Sequence, residues 1–101
     1  MTSMDVERIN EILGIATSLE ALEDWESAAK TYQKALALFP LEAELWFRMG
    51  CCLARLEATE DAALFLEKAS MLAPGTVKYD LKLGDILISL RHLSDAIGVY
   101  K

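Results

Sequence analysis

The sequence has few of the residues that mark an enzyme, a secreted protein or a membrane protein. Its 101 residues include one histidine, two cysteines and two prolines. No apolar run approaches the roughly 20 residues that a membrane-spanning helix needs. The first residues, Met1 to Asp5, lack the basic start and the apolar stretch of a signal peptide. We therefore expect a single soluble domain in the cytoplasm.

The residues that carry chemistry are isolated from one another. Cys51 and Cys52 are adjacent, and neighbouring residues on a helix point about 100° apart, so they do not jointly face one metal ion. The only histidine, His92, has no cysteine or serine partner at a catalytic spacing. Glycine-rich phosphate loops and metal-binding motifs are missing as well. The sequence predicts no catalytic activity, no cofactor and no metal.

Basic residues are also in deficit, with 10 lysines and arginines against 16 aspartates and glutamates and a net charge of −6. This balance argues against a general nucleic-acid-binding protein, whose surface is basic. What the chain has instead is apolar residues, at 53%, with 17 leucines and 14 alanines against 9 valines and isoleucines together. That composition favours helices over strands.

A period of 34 residues runs through the chain. It separates Pro40 from Pro74 and Gly50 from Gly84, alanines and leucines follow the same interval, and Tyr32 and Tyr100 lie two periods apart. Within a period, apolar residues recur at threes and fours, which predicts two amphipathic helices with a short turn between them. We expect six helical segments: two near 5–22 and 25–39, two in the middle period with apolar stripes from Leu45 to Leu56 and from Ala62 to Leu72, and two in the third, near 77–91 and beginning near 93.

These residues resemble the tetratricopeptide repeat, a helix–turn–helix unit of 34 residues. The middle repeat, about 43–76, matches the family pattern best, with Trp46, Met49, Gly50, Leu53, Ala62, Leu66, Ala69 and Pro74. The first repeat covers about 9–42 and a partial third covers 77–101. The resemblance implies an all-α tetratricopeptide-repeat solenoid, a single domain over 1–101, with antiparallel helix pairs in a right-handed superhelix.

The pattern also assigns packing roles. We expect Gly50 and Gly84 to let paired helices approach closely, and Trp46 to fill space between helix pairs. The chain departs from the family at the turns between paired helices, where Glu23, Glu57 and Arg91 stand in place of the frequent glycine.

Tetratricopeptide arrays bind peptides or helices in a concave groove lined by the first helix of each repeat. The resemblance therefore predicts a peptide-binding groove made of ten residues: Leu13, Thr17, Phe47, Arg48, Cys51, Arg55, Lys78, Leu81, Lys82 and Asp85. Asn10, Glu20, Glu44 and Ile88 line the same wall.

Two features of this groove suggest its partner. Leu13, Phe47 and Leu81 lie 34 residues apart and predict an apolar row, which could bind a partner, be covered by a neighbouring helix or mediate self-association. Arg48, Lys78 and Lys82 lie beside that row and would select an acidic amphipathic segment, although a solvated basic face is the alternative. Residues 77–101 carry a net charge of +1.

Some relatives hold the C-terminal carboxylate of heat-shock chaperones with two lysines, two asparagines and one arginine. Here Leu13 and Thr17 stand in the places of the first lysine and asparagine, and Arg48 replaces the second asparagine. Only the last two basic places survive, as Lys78 and Lys82. We do not expect binding of that type.

The C-terminal end suggests a second interaction. The predicted sixth helix is only two turns long, so Ala96, Ile97 and Tyr100 alone would cover helix 77–91. A solenoid end normally carries a capping element. We therefore expect a longer native protein, or a homodimer through the C-terminal repeat.

Together these features predict a protein–protein interaction module or scaffold, with chaperone-like capture of apolar segments as one version. Two alternatives stay open. One is a non-catalytic arm that positions substrates for a larger enzyme such as a transferase. The other is a structural repeat that assembles with copies of itself.

Overall fold

The computed structural model describes the backbone of residues 2–98 and the side chains of residues 2–92. Five helices follow one another: α1 (Ser3–Ala21), α2 (Trp25–Leu38), α3 (Ala43–Arg55), α4 (Thr59–Leu72) and α5 (Val77–Gly98). Residues 2–98 contain no strand. The predicted all-α repeat fold is thus confirmed.

The helix ends follow local sequence signals. The Thr2 hydroxyl accepts a hydrogen bond from the Asp5 amide, and the Asp5 carboxylate accepts one from the Thr2 amide, which caps α1. The Asp24 side chain caps α2 by accepting from the Ser27 amide. At the other end, α2 and α4 stop shortly before Pro40 and Pro74, because a proline cannot continue the backbone hydrogen-bond pattern.

The turns inside the two complete helix pairs share one unusual backbone conformation. Glu23 lies between α1 and α2 with φ 59°, and Glu57 lies between α3 and α4 with φ 63°. This left-handed region disfavours residues that have a Cβ atom. It accounts for the glycine that the family often has at these positions.

The core runs along the solenoid because the main helix contacts join each helix to its neighbour in the chain. Tyr32, Leu45, Cys52 and Leu66 are fully buried. At Gly50 the helices α3 and α4 approach so closely that an added Cβ atom would lie 2.8 Å from the Leu66 side chain. The predicted close approach at Gly50 is therefore present.

Three packing predictions need correction or completion. Trp46 is partly buried and packs against two of the buried apolar clusters, and its indole Nε1 donates a hydrogen bond of 2.8 Å to the Pro40 carbonyl. A Cβ atom at Gly84 would meet nothing within 4 Å among the described residues. The cover of α5 predicted for Ala96, Ile97 and Tyr100 lies outside the described side chains.

The predicted break between a fifth and a sixth helix near residue 92 is wrong. The helix α5 runs without interruption from Val77 to Gly98. Residues 89–93 contain neither proline nor glycine, and Leu90 and Arg91 are good helix formers. Nothing in this segment therefore interrupts the helical hydrogen bonds.

Candidate functional site

The predicted groove residues lie on three helices, each of which would be the first helix of a repeat. We use "groove" for this set, which consists of Leu13 and Thr17 on α1, Phe47, Arg48, Cys51 and Arg55 on α3, and Lys78, Leu81, Lys82 and Asp85 on α5.

Glu44 on α3 is the centre of a polar network in the groove. Its carboxylate accepts hydrogen bonds of 2.9 Å from Arg48 Nε on the same helix and from Lys78 Nζ on α5. The Tyr79 hydroxyl donates a third, also of 2.9 Å. One carboxylate thus joins α3 to α5 and binds two of the four groove cations, Arg48 and Lys78.

A second carboxylate extends the network toward the N-terminal helices. Glu20 on α1 accepts a hydrogen bond from the Tyr32 hydroxyl on α2. A guanidinium nitrogen of Arg48 lies 3.9 Å from the Glu20 carboxylate. Arg48 therefore stands between two acids and links α1 with α3.

The protonation of these groups follows from burial and from their partners. Burial by itself would raise the pKa of Glu44, but hydrogen bonds from Lys78, Arg48 and Tyr79 outweigh it and hold that pKa below its usual value. Burial and the nearby carboxylates raise the pKa values of Tyr32 and Tyr79. At neutral pH Glu44 is therefore a carboxylate acceptor, and Tyr32 and Tyr79 are neutral phenols.

The predicted apolar row is uneven. Leu13 packs against the core formed by α1, α2 and α3. The centres of the Phe47 and Tyr79 rings lie 4.9 Å apart. The Lys78 ammonium lies 5.3 Å from the centre of the Phe47 ring. Leu81, by contrast, is 65% exposed. Of the three residues, Leu81 offers the most surface to a partner.

The groove cations also differ in their engagement. Arg48 and Lys78 bind Glu44, and the Arg55 guanidinium lies 5.2 Å from the centre of the Trp25 ring. Lys82 makes no ion pair with any of the described residues. Lys82 is therefore the groove cation that neither a described acid nor a described aromatic ring engages.

The cysteines remain as free thiols. Burial raises the pKa of Cys51, although the nearby Lys82 charge opposes the increase. Burial raises the pKa of Cys52 to about 12. Neither cysteine is set up as a thiolate nucleophile.

The groove contains a small cavity between α1 and α3. It has a volume of about 190 Å³ and is lined by Val6, Ile9, Asn10, Leu13, Glu42 and Glu44. Thr17 and Asp85 are exposed at the groove surface away from this cavity.

The sequence placed Glu44 in the groove wall but did not reveal its role, and it gave Tyr32 and Tyr79 no part in a polar network. A signal for the role was available. Glu44 and Lys78 are opposite charges one 34-residue period apart, and Arg48 follows Glu44 by four residues. Both spacings place opposite charges side by side in a stacked helical repeat.

Within the described part of the chain, no cluster of three or more histidines, cysteines and acidic residues could hold a metal ion. The described helices also include none that combines the length and the hydropathy needed to cross a membrane.

Comparison with known families gives one match. Residues 13–76 match the family model described as tetratricopeptide repeat. The match spans more than half of the chain and includes α2, α3 and α4 entirely. A comparison with curated proteins gave no match.

Proposed function

The chain belongs to the tetratricopeptide repeat family, and on that premise we propose that it binds a peptide or helix of a partner protein in the groove. Repeats of this family generally mediate protein–protein interaction or scaffolding and are typically non-catalytic. The groove formed by α1, α3 and α5 is the surface that the family uses for this purpose.

The observation that supports the proposal is that some groove side chains already bind one another, whereas others have no partner among the described residues. Glu44 pairs with Arg48 and Lys78, so these two cations are already engaged within the chain. On the next turn of α5, Leu81 is 65% exposed and Lys82 is not engaged by any described acid. An apolar contact and a positive charge are thus presented side by side.

This arrangement favours an acidic amphipathic segment as the partner. An apolar side chain of the segment would lie against Leu81 and a carboxylate would pair with Lys82. A second apolar side chain would reach the cavity beside Leu13. Apolar anchors and charge selection of this kind are the usual means by which grooves recognise helices. Chaperone-like capture of exported proteins would be a narrower version of the same activity.

The test is affinity capture with a matched pair of double variants. The groove variant is Leu81→Ser with Lys82→Glu on α5. The control is Leu64→Ser with Lys30→Glu, which makes the same chemical changes at exposed positions of α4 and α2. We expect a partner that the wild type and the control both retain and that the groove variant loses at least tenfold. Equal capture by all three proteins would contradict the proposal.

The division into repeats 9–42, 43–76 and 77–101 and the cytoplasmic location stay predictions from the sequence. Limited proteolysis would test the first, since cleavage is expected in the turns between helices.

A further inference from the structure

The helix α5 carries an exposed apolar face. Val77 and Ile88 are 66% and 56% exposed. Together with Gly84 they follow one another at intervals of seven and four residues, which places them on one stripe of the helix. We call this stripe the Gly84 face.

The equivalent face of α3, one period earlier, is a helix-packing surface. Gly50 stands one period before Gly84, and α4 crosses it so closely that an added Cβ atom would lie 2.8 Å from Leu66 and 3.3 Å from the Ala62 carbonyl oxygen. At Gly84 the same added atom would meet nothing within 4 Å among the described residues. The Gly84 face has the residues that receive a helix, but the described part of the chain supplies none.

The 34-residue period identifies the segment that should cover this face. One period after Ala62 comes Ala96, which lies in α5 itself. Because α5 is continuous, Ala96 is about 18 Å further along the helix axis than Gly84, at 1.5 Å per residue. In this conformation the segment cannot fold back onto the Gly84 face of its own copy.

We propose that two copies of this chain exchange the C-terminal segment of α5, residues 92–98, so that the segment of each copy covers the Gly84 face of the other. The occupant of the face is a second copy because this chain encodes the matching segment and α5 carries it away from its own face. Opening a turn into a continuous helix is a low-cost route to such an exchange.

The two complete helix pairs show where the exchange originates. Their turns are made at Glu23 and Glu57, both with positive φ, and the third equivalent position is Arg91. Arg91 lies inside α5, so the turn that would close the third helix pair is replaced by helix. If Arg91 forms a turn, residues 92–98 can cover the Gly84 face of their own copy. If Arg91 stays helical, they can cover only the Gly84 face of another copy.

The first test uses the 101-residue protein and blocks the receiving face. Sedimentation equilibrium should show a dimer, and Gly84→Leu should raise its dissociation constant at least tenfold. Gly14→Leu is the matched control, since a Cβ atom at Gly14 also meets nothing within 4 Å and the residue lies on α1. The control should leave the dissociation constant unchanged. A protein that stays monomeric at millimolar concentration, or a dimer indifferent to Gly84→Leu, would overturn the proposal.

The second test acts on the hinge and separates exchange from simple side-by-side packing. Arg91→Gly should favour the turn, return the segment to its own copy and shift the protein toward monomer at least tenfold. Ser89→Gly is the control. It also weakens α5, but Ser89 lies two residues before the position that corresponds to Glu23 and Glu57 in the two turns, so the dimer should persist. A dimer that survives Arg91→Gly and Ser89→Gly equally would be packed without exchange, which contradicts the proposal.

Discussion

The hydroxyl of Tyr79 on α5 donates a hydrogen bond of 2.9 Å to the carboxylate of Glu44 on α3, 35 residues earlier in the chain. The bond joins two helices that belong to successive helix pairs. The same carboxylate also binds Arg48 and Lys78. Successive repeats are thus held together by a polar contact as well as by apolar packing.

Removal of the Glu44 side chain should weaken this connection. We expect Glu44→Ala to lower the free energy of unfolding by about 1–3 kcal/mol, since it leaves the partly buried Tyr79 hydroxyl and Arg48 guanidinium without their acceptor. Urea denaturation would measure the change. Glu67→Ala, at an exposed position of α4, serves as the control and should change stability by less than about 0.5 kcal/mol.

The contribution of Glu44 should depend on pH. Its pKa is lowered in the folded protein from the ordinary value of 4.5. The carboxylate therefore adds stability that is fully present above pH 4.5 and is lost as the pH falls through the lower folded-state pKa. Thermal unfolding of the wild type and of Glu44→Gln should differ most at neutral pH and converge in acid. A difference that persists unchanged well below pH 4.5 would contradict this assignment.

Gly50 and Gly14 should respond in opposite ways to the same substitution. Gly50→Ala places a Cβ atom 2.8 Å from Leu66 and should cost about 1–3 kcal/mol of stability through overpacking. Gly14→Ala meets no atom within 4 Å and should add up to about 1 kcal/mol because alanine favours helix. Melting temperatures of the two variants, measured side by side with the wild type, would check the signs.

The turn at Glu57 offers a stabilising change. Glu57 has φ 63°, a conformation that glycine adopts without a steric penalty. We expect Glu57→Gly to stabilise the protein by roughly 0.5–1 kcal/mol, which is the strain relieved less the entropy that glycine adds to the unfolded chain. Glu67→Gly, within α4, should destabilise it by about 1 kcal/mol. If both glycines destabilise, the strain at Glu57 is smaller than its φ angle indicates.

The thiols should react slowly in the folded protein. Burial raises the pKa of Cys52 to about 12, and Cys52 is fully buried. At pH 8 we expect a thiol reagent to modify Cys52 only as fast as the protein opens, and Cys51 faster because it is partly exposed. Cys52→Ala and Cys51→Ser would assign the two rates. A rapid reaction of Cys52 under native conditions would contradict its burial.

The helical repeat could be predicted because several independent features of the sequence support the same 34-residue period. Pro40 and Pro74 stop two helices, and Gly50 marks a close helix contact, so one period is supported by residues of different chemistry. The continuity of α5 could not be read in the same way. Glu23 and Glu57 form turns although glutamate is a good helix former, so local propensity at these positions and at Arg91 does not distinguish a turn from a helix.

The site was predicted less completely than the fold. The family resemblance predicted which residues face the groove, including Leu81 and Lys82. It did not show that Arg48 and Lys78 would bind Glu44, because a list of exposed positions carries no information about pairing between them. The opposite charges at Glu44 and Lys78, at equivalent places in successive repeats, were the available clue.

The main helix contacts, each between neighbours in the chain, have a mechanical consequence. A fold that is stabilised by nearest-neighbour contacts has low contact order, which favours rapid folding from any helix pair that forms first. Under a pulling force applied to its two ends, such a chain would yield one helix pair at a time, in a few small steps. It would behave as a soft spring that reforms quickly when the load is removed.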